Sequence, residues 1–141
     1  MGETLFTSSV TAVGGREGHV KSSDGIIDFD IANPNTQRAK EIPEATNPEE
    51  LFAAGYSACF DGSLQLMAKK ERITFDSEVT ANVSLLKDED DDGFKLAVTL
   101  QVKGTGIEKG KLEELVQKAH EFCPYSKATR GNVDVTLEVV E

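Results

Sequence analysis

Hydrophobic and polar residues alternate with a period of two near both ends of the chain, which predicts β-strands there. Near the start, two short strands are expected on either side of a glycine-containing turn, and a third strand and a proline-containing loop follow them. These elements cover residues 10–13 and 19–22 around the turn at 14–18, then 27–31 for the third strand and 32–46 for the loop. The first third of the chain is therefore predicted to form a small antiparallel sheet.

A helical pattern then begins at Pro48 and extends to Glu71. Asn47 is expected to cap this helix, because its side chain can accept a hydrogen bond from a free backbone N–H of the first turn. Pro48 suits the first helical position, and Glu50 lies three residues after Asn47 as in a capping box. Such a helix is about 36 Å long. A globule of 141 residues cannot bury it alone, which favours a partner helix from a second copy.

A long hairpin follows, then a second helix and a last strand. The predicted hairpin strands are centred on 79–85 and 94–102, the helix covers 111–122, and the last strand covers 133–139. Pro124 is expected to end the second helix. Strands and helices that are grouped in this way predict an α+β fold rather than a regular βαβ alternation.

Length and charge restrict the function. The 141 residues suffice for one domain with a sizeable core, so a single domain over 1–141 is expected. With 15 basic and 25 acidic residues the net charge is −10, which argues against nucleic acid or an anionic membrane surface as a partner. No apolar run reaches the length of a membrane span, and no secretory signal opens the chain, so a cytoplasmic, reducing compartment is expected.

The two cysteines, Cys59 and Cys123, have different predicted settings. Cys59 lies in the middle of the first helix, on a face of small residues where another backbone can approach closely. The helix dipole cannot activate a thiol there, so a thiolate at Cys59 needs a cation from elsewhere. Arg16 and Arg130, both in glycine-containing turns, are the candidate cations. A buried, inert thiol at Cys59 remains the alternative.

Cys123 is expected at the C-terminus of the second helix, where the partial negative charge disfavours a thiolate. It should therefore be the poorer nucleophile and the better second thiol of a pair. The sequence Cys-Pro-Tyr-Ser also resembles a glutaredoxin site that lacks its second cysteine. In glutaredoxins that motif opens a helix, whereas here it is expected to close one, which argues against a glutaredoxin-like site. A nucleophilic cysteine with a resolving cysteine is the chemistry that this pair favours.

Other sites have weaker support. Zinc binding by His19, Cys59, His120 and Cys123 lacks the usual ligand spacing, so no metal is expected. The acidic segment 88–93 matches only half of a calcium loop and is interpreted as a solvated hairpin tip. A non-enzymatic dimeric stress or binding protein, and a zinc hydrolase, remain the rival classes.

Three segments in this order carry a family resemblance over almost the whole chain. They are GGREG at 14–18, TNPEELFAAGYSACF at 46–60 and CPYSKATRGN at 123–132. The chain resembles the organic hydroperoxide resistance (Ohr) branch of the OsmC/Ohr proteins. This resemblance implies antiparallel sheets wrapped around long central helices in an intertwined homodimer.

The resemblance also implies a thiol-dependent peroxidase that needs no cofactor. Cys59 would be the peroxidatic cysteine and Cys123 the resolving one, while Arg16 and Glu49 would hold the reactive state together. The implied substrate is an organic hydroperoxide, and the implied reductant is a lipoylated protein or another dithiol. Phe52, Phe60, Met67 and Phe122 are predicted either to line an apolar pocket for this substrate or to pack in the core.

Glu49 precedes Cys59 by ten residues, which is about 15 Å along a continuous helix. This distance is too long for both side chains to contact one Arg16 guanidinium easily. Two explanations for a site that contains all three residues follow. Either the helix breaks near Gly55, or the partner's copy of Glu49 completes the site in a composite dimer. The small residues at Gly55 and Gly62 favour the second explanation.

Overall fold

A continuous 23-residue helix, α2 (Pro48–Lys70), dominates the computed structural model, which describes residues 2–141. The Asn47 side chain accepts the backbone N–H of Glu50 at 2.9 Å, as the sequence predicts. The carboxylate of Glu50 accepts the Thr46 hydroxyl rather than completing a capping box with Asn47. The helix runs through Gly55 without interruption, so the first of the two explanations for the distance from Glu49 to Cys59, a break near Gly55, does not hold within α2.

The chain divides into two compact units, the first ending at Leu51 and the second spanning Phe52–Glu141. In the first unit, an antiparallel sheet of order β1-β2-β3 follows the predicted pattern. Its strands are β1 (Val10–Val13), β2 (His19–Ser22) and β3 (Asp28–Asp30), and a 3₁₀ turn at Gly15–Glu17 joins the first two. A single domain over the whole chain stays a prediction.

A short helix, α1 (Gln37–Glu41), lies within the segment that was predicted to be a loop. The Thr36 hydroxyl caps it by accepting the backbone N–H of Ala39 at 3.2 Å. The nearby prolines obscured this cap in the sequence, because Pro34 and Pro43 favour irregular backbone.

The second unit contains the long hairpin and the remaining helices. The strands are β4 (Asp76–Asp88), β5 (Gly93–Thr105) and β6 (Asp134–Val140), and the helices are α3 (Lys109–Phe122) and α4 (Pro124–Thr129). β4 and β5 pair antiparallel, whereas β6 pairs with β5 in parallel. This sheet is therefore mixed rather than purely antiparallel, because the crossover through α3 and α4 returns the chain to the end where β5 begins. The α+β class is confirmed.

The core of the second unit lies between α2, α3 and the sheet. Tyr56, Phe60 and Leu64 from α2 are completely buried with Leu100 and Leu115. Burying an apolar side chain of this size contributes about 1.5–3 kcal/mol. Burial on this scale fixes α2 against α3, the helix that leads to Cys123. Among residues 2–141, no helix has the length and apolar character that crossing a membrane requires.

The turn that carries Arg16 depends on Gly18. A Cβ atom added at Gly18 would lie 1.7 Å from the carbonyl oxygen of Val13, so the backbone would have to move. We predict that Gly18→Ala lowers the free energy of unfolding by about 1–3 kcal/mol, because the added methyl group overpacks the turn. Chemical denaturation followed by circular dichroism measures this change.

Gly110→Ala in the first turn of α3 is the matched control. Its added Cβ would meet its nearest neighbour, the Glu108 carboxylate, at 3.8 Å. Alanine there is expected to be neutral or to stabilise the helix by up to about 1 kcal/mol. Equal stabilities of the two variants would contradict the proposed role of Gly18.

Candidate active site

The sulfur atoms of Cys59 and Cys123 lie 3.5 Å apart. Both thiols are free; Cys59 is half-buried in α2, and Cys123 is completely buried between α3 and α4. A disulfide needs the two sulfurs to close to about 2.0 Å, which is a modest movement. The prediction that the two cysteines lie within bonding reach is confirmed.

Cys123 occupies the cap position of two consecutive helices. It follows the last residue of α3, as predicted, but it is also the N-cap of α4, and Pro124 is the first residue of that helix. Proline suits this position because its missing N–H would have no partner there. Cys123 therefore lies between the negative end of one helix dipole and the positive end of another. The prediction from the C-terminus of α3 alone was incomplete, since it treated Pro124 only as a helix stop.

The surroundings of Cys59 favour the protonated thiol over the thiolate. Burial raises the pKa of Cys59, and the neighbouring Cys123 raises this pKa further because two sulfurs this close resist being charged together. The backbone N–H of Tyr125, the second residue of α4, lowers the pKa of Cys59 but does not offset the burial. A thiolate at neutral pH therefore needs a nearby cation.

Arg16 and Glu49 form a bidentate ion pair in the first unit. Arg16 Nη2 donates to Glu49 Oε1 at 2.7 Å, and Nη1 donates to Oε2 at 3.0 Å. Nη1 also donates to the side-chain oxygen of Asn33 at 3.2 Å, a contact that the sequence did not reveal. These hydrogen bonds from Arg16 lower the pKa of the Glu49 carboxyl group. Two parallel bonds fix the plane of the guanidinium, which a single contact would leave free to turn.

Arg130, the other candidate cation, is committed elsewhere. It donates to the backbone carbonyl oxygen of His120 at 2.5 Å. Burial lowers the pKa of His120, and the positive charge of Arg130 lowers it further. Arg130 therefore joins the end of α4 to α3.

Aromatic rings surround the α2 turn that precedes Cys59. Phe52, Tyr56 and Tyr125 pack with ring centroids 5.8–6.4 Å apart. A Cβ atom at Gly55 would lie 2.8 Å from the Tyr125 hydroxyl oxygen, so Gly55 makes room for this ring. No local pattern in the sequence indicates Tyr125, because its position beside Gly55 depends on the packing of α4 on α2.

The four residues predicted either for an apolar pocket or for the core differ in their burial. Phe60 and Met67 are buried core residues. Phe52 is half-buried in the aromatic cluster. Phe122 is 40% exposed, and the amino groups of Lys70 and Lys127 lie 5.1 and 5.8 Å from its ring centroid.

For the zinc alternative, no group of three or more histidine, cysteine or acidic side chains within residues 2–141 is arranged so that it could hold a metal ion. His19 instead contacts Asp28 and Asp30. His120 contacts Ser126.

Known proteins resemble this chain both in sequence and in structure. The family model described as OsmC-like protein matches residues 39–138. The chain is 64% identical over 141 residues to the organic hydroperoxide resistance protein OhrA of Bacillus subtilis, covering 100% of both sequences. It is 42% identical over 135 residues to the organic hydroperoxide resistance protein of Xanthomonas axonopodis pv. citri, covering 96% of this chain and 94% of that one. The crystal structure of Bacillus subtilis OhrB superposes with a TM-score of 0.92 at 58% identity, covering 97% of this chain and 100% of that chain.

The distance between the two sulfurs leads to a prediction about oxidation. A mild thiol oxidant such as diamide should convert Cys59 and Cys123 to a disulfide within one chain, because the sulfurs already lie in contact. Mass spectrometry under denaturing conditions should show the loss of two hydrogen masses and no alkylation by iodoacetamide. The Cys59→Ser chain should keep an alkylatable Cys123. A disulfide that joins two chains would contradict the prediction.

Proposed function

We propose, because the chain belongs to the Ohr branch of the OsmC family, that it is a thiol-dependent peroxidase that reduces organic hydroperoxides to alcohols. The family assignment supports a role in organic hydroperoxide detoxification. The observation that carries the finer proposal is the 3.5 Å contact between Cys59 and Cys123, which pairs a half-buried thiol with a buried one. Such a pair suits a reacting thiol and a resolving thiol.

The proposed reaction has three balanced steps. The Cys59 thiolate attacks the outer oxygen of the hydroperoxide, the O–O bond breaks, and the alkoxide leaves as the alcohol after taking a proton. Cys59 is then a sulfenic acid. The Cys123 sulfur attacks the Cys59 sulfur, and water leaves as the disulfide forms. An external dithiol, such as a lipoyl group, reduces this disulfide and is itself oxidised to a disulfide.

The ion pair of Arg16 with Glu49 is the proposed source of positive charge. A cation beside a thiolate lowers the pKa of the thiol, which would oppose the effect of burial on Cys59. Arg16 would also stabilise the negative charge that develops on the leaving oxygen. Glu49 would orient Arg16 through the bidentate contact.

An organic tail is the expected substrate feature. The rings of Phe52 and Tyr125 offer apolar surface close to the α2 turn that precedes Cys59. Burying such a tail contributes about 25 cal/mol per Å² of apolar surface. Hydrogen peroxide has no tail to bury, so organic hydroperoxides should react faster.

A homodimer is the proposed working form, in the cytoplasm and without nucleic acid or membrane. Four residues of α2 that are spaced four apart are exposed and small or apolar: Ala54, Ala58, Gly62 and Leu66. Residues spaced in this way share one side of a helix. In the N-terminal segment, Leu5 and Phe6 are 85% and 83% exposed. Exposed apolar groups of this kind are typical of surfaces that a second copy covers.

The first test separates the roles of the two cysteines. Cys59→Ser should abolish peroxide turnover, because no other thiol has a setting in which it can react first. Cys123→Ser should consume about one equivalent of tert-butyl hydroperoxide and then stall or over-oxidise, because nothing resolves the sulfenic acid. Stopped-flow peroxide consumption with counting of free thiols measures both results, and hydrogen peroxide serves as the slower substrate.

Equal residual turnover in the two variants would show that the roles are assigned wrongly. Peroxide that leaves both thiols of the wild-type chain intact would instead support a non-enzymatic dimeric stress or binding protein.

The second test asks whether the partner chain supplies Glu49. Because α2 is unbroken, the ten residues from Glu49 to Cys59 span about 15 Å along the helix. We predict that mixing Glu49→Ala chains with Cys59→Ser chains restores about a quarter of wild-type activity, since half of the dimers are mixed and each holds one intact composite site. Native mass spectrometry checks subunit exchange, and each variant alone is the control. Exchange without recovered activity would favour a site built within one chain.

A further inference from the structure

A cluster of buried hydroxyl groups lies on the helix that contains Cys59 and on the helix that begins after Cys123, and it has no role in the steps above. Tyr56 lies one helical turn before Cys59 in α2, and Ser126 and Thr129 lie in α4, which Cys123 precedes. Tyr56 and Ser126 are completely buried, and Thr129 is 4% exposed. Buried hydroxyl groups of this kind need hydrogen-bond partners, and their partners here join three helices.

Four contacts connect the cluster. His120 Nδ1 lies 2.8 Å from Ser126 Oγ, and Ser126 Oγ lies 2.8 Å from the Tyr56 hydroxyl oxygen. The Tyr56 oxygen lies 3.2 Å from Thr129 Oγ1. Thr129 Oγ1 donates to the backbone carbonyl oxygen of Ser126 at 3.1 Å.

The hydrogens of this cluster can be placed by counting donors. A carbonyl oxygen only accepts, so the single hydroxyl hydrogen of Thr129 is used there. The contact between Tyr56 and Thr129 must then use the hydrogen of Tyr56. The contact between Ser126 and Tyr56 must in turn use the hydrogen of Ser126. The contact from His120 is left with one source of hydrogen, the Nδ1–H of the imidazole.

We infer that this one-directional chain, His120 to Ser126 to Tyr56 to Thr129, positions α4 so that Cys123 can attack the oxidised Cys59 sulfur. His120, Ser126 and Tyr56 are positioning residues for the disulfide-forming step of the proposed function, on which this inference rests. The hydroxyl chain acts through the backbone of α4, and none of its four hydrogen bonds involves a cysteine sulfur.

The need for such positioning follows from the shortness of α4. A helix of six residues is not stable alone, and the Cys123 side chain makes no capping hydrogen bond to it. The hydroxyl chain attaches α4 to α2 through Tyr56 and to α3 through His120, and Arg130 adds a second bond to α3. Loss of this attachment would let the Cys123 thiol move from its position beside Cys59.

The charge state of His120 agrees with the placed hydrogens. Burial and the neighbouring Arg130 lower the pKa of His120, so the ring is neutral at pH 7. A neutral imidazole carries one hydrogen, and the donor count assigns it to Nδ1.

The kinetic experiment uses Tyr56→Phe, which removes one hydroxyl group and keeps the ring. After one equivalent of tert-butyl hydroperoxide, oxidation of Cys59 should keep its rate within about twofold, because the hydroxyl chain has no role in that step. Disulfide formation should slow about tenfold or more, since a misplacement of about 1 Å can cost about 100-fold. Trapping with dimedone should therefore show more Cys59 sulfenic acid and less disulfide than in the wild type. Ser57→Ala is the matched control, since this neighbouring hydroxyl donates only to the Ala54 carbonyl within α2.

Ser126→Ala provides a second variant that should show the same change in the ratio of sulfenic acid to disulfide. Thermal denaturation identifies which variants fold. Wild-type rates of disulfide formation in a folded Tyr56→Phe or Ser126→Ala chain would overturn the inference. Wild-type protein that leaves peroxide unconsumed would overturn the proposed function instead, and oxidation of the same variants by diamide would still measure how closely Cys123 is held to Cys59.

The second experiment needs no activity. Long-range ¹H–¹⁵N correlation spectra of the wild-type protein report which imidazole nitrogen carries the hydrogen. We expect the Nδ1–H form for His120 at pH 7, and Tyr56→Phe should weaken this preference because Ser126 loses the acceptor for its hydrogen. A wild-type His120 in the Nε2–H form would overturn the direction of the chain.

Discussion

The contact between the sulfurs of Cys59 and Cys123 depends on how α2 packs against α3 and α4. Apolar burial fixes α2 against α3, since Phe60 and Leu115 are both completely buried. Apolar burial is non-directional, and it does not by itself set the position of a helix as short as α4. Directional hydrogen bonds that join the Tyr56 hydroxyl to Ser126 and Thr129 set the position of α4. The 3.5 Å distance between the sulfurs therefore combines a strong apolar constraint with a weaker polar one.

A second constraint is electrostatic. Burial would protect the proposed sulfenic acid from bulk solvent, but it also raises the pKa of Cys59 and so reduces the fraction of thiolate. A cation about 4 Å from a thiolate contributes about 4 kcal/mol at an effective dielectric constant of about 20, which equals about three pKa units. In the proposed site, the carboxylate of Glu49 would cancel part of the field that Arg16 supplies, while its two hydrogen bonds with Arg16 keep the guanidinium oriented. The ion pair thus has a weaker electrostatic field than a lone guanidinium, but its orientation is fixed.

Local signals in the sequence predicted most elements but not their long-range pairing. Asn47 and Pro48 located the start of α2, and the period-two pattern located the hairpin of β4 and β5. α4 was missed because Pro124 ends one helix and begins another, and a proline satisfies both rules at once. The parallel pairing of β6 depends on the crossover, which no local pattern encodes. Arg16 and Glu49 were paired through the family resemblance, since 33 residues separate them.

The same constraints determine which part of the site moves when a disulfide forms. The sulfurs must approach by about 1.5 Å to reach bonding distance. α2 cannot supply this movement easily, because Tyr56, Phe60 and Leu64 are completely buried along it. α4 has an exposed outer side at Lys127 and no side-chain cap at Cys123. If the proposed disulfide forms, the movement is therefore expected at the N-terminal end of α4, and the buried hydrogen bonds of Ser126 would limit its size.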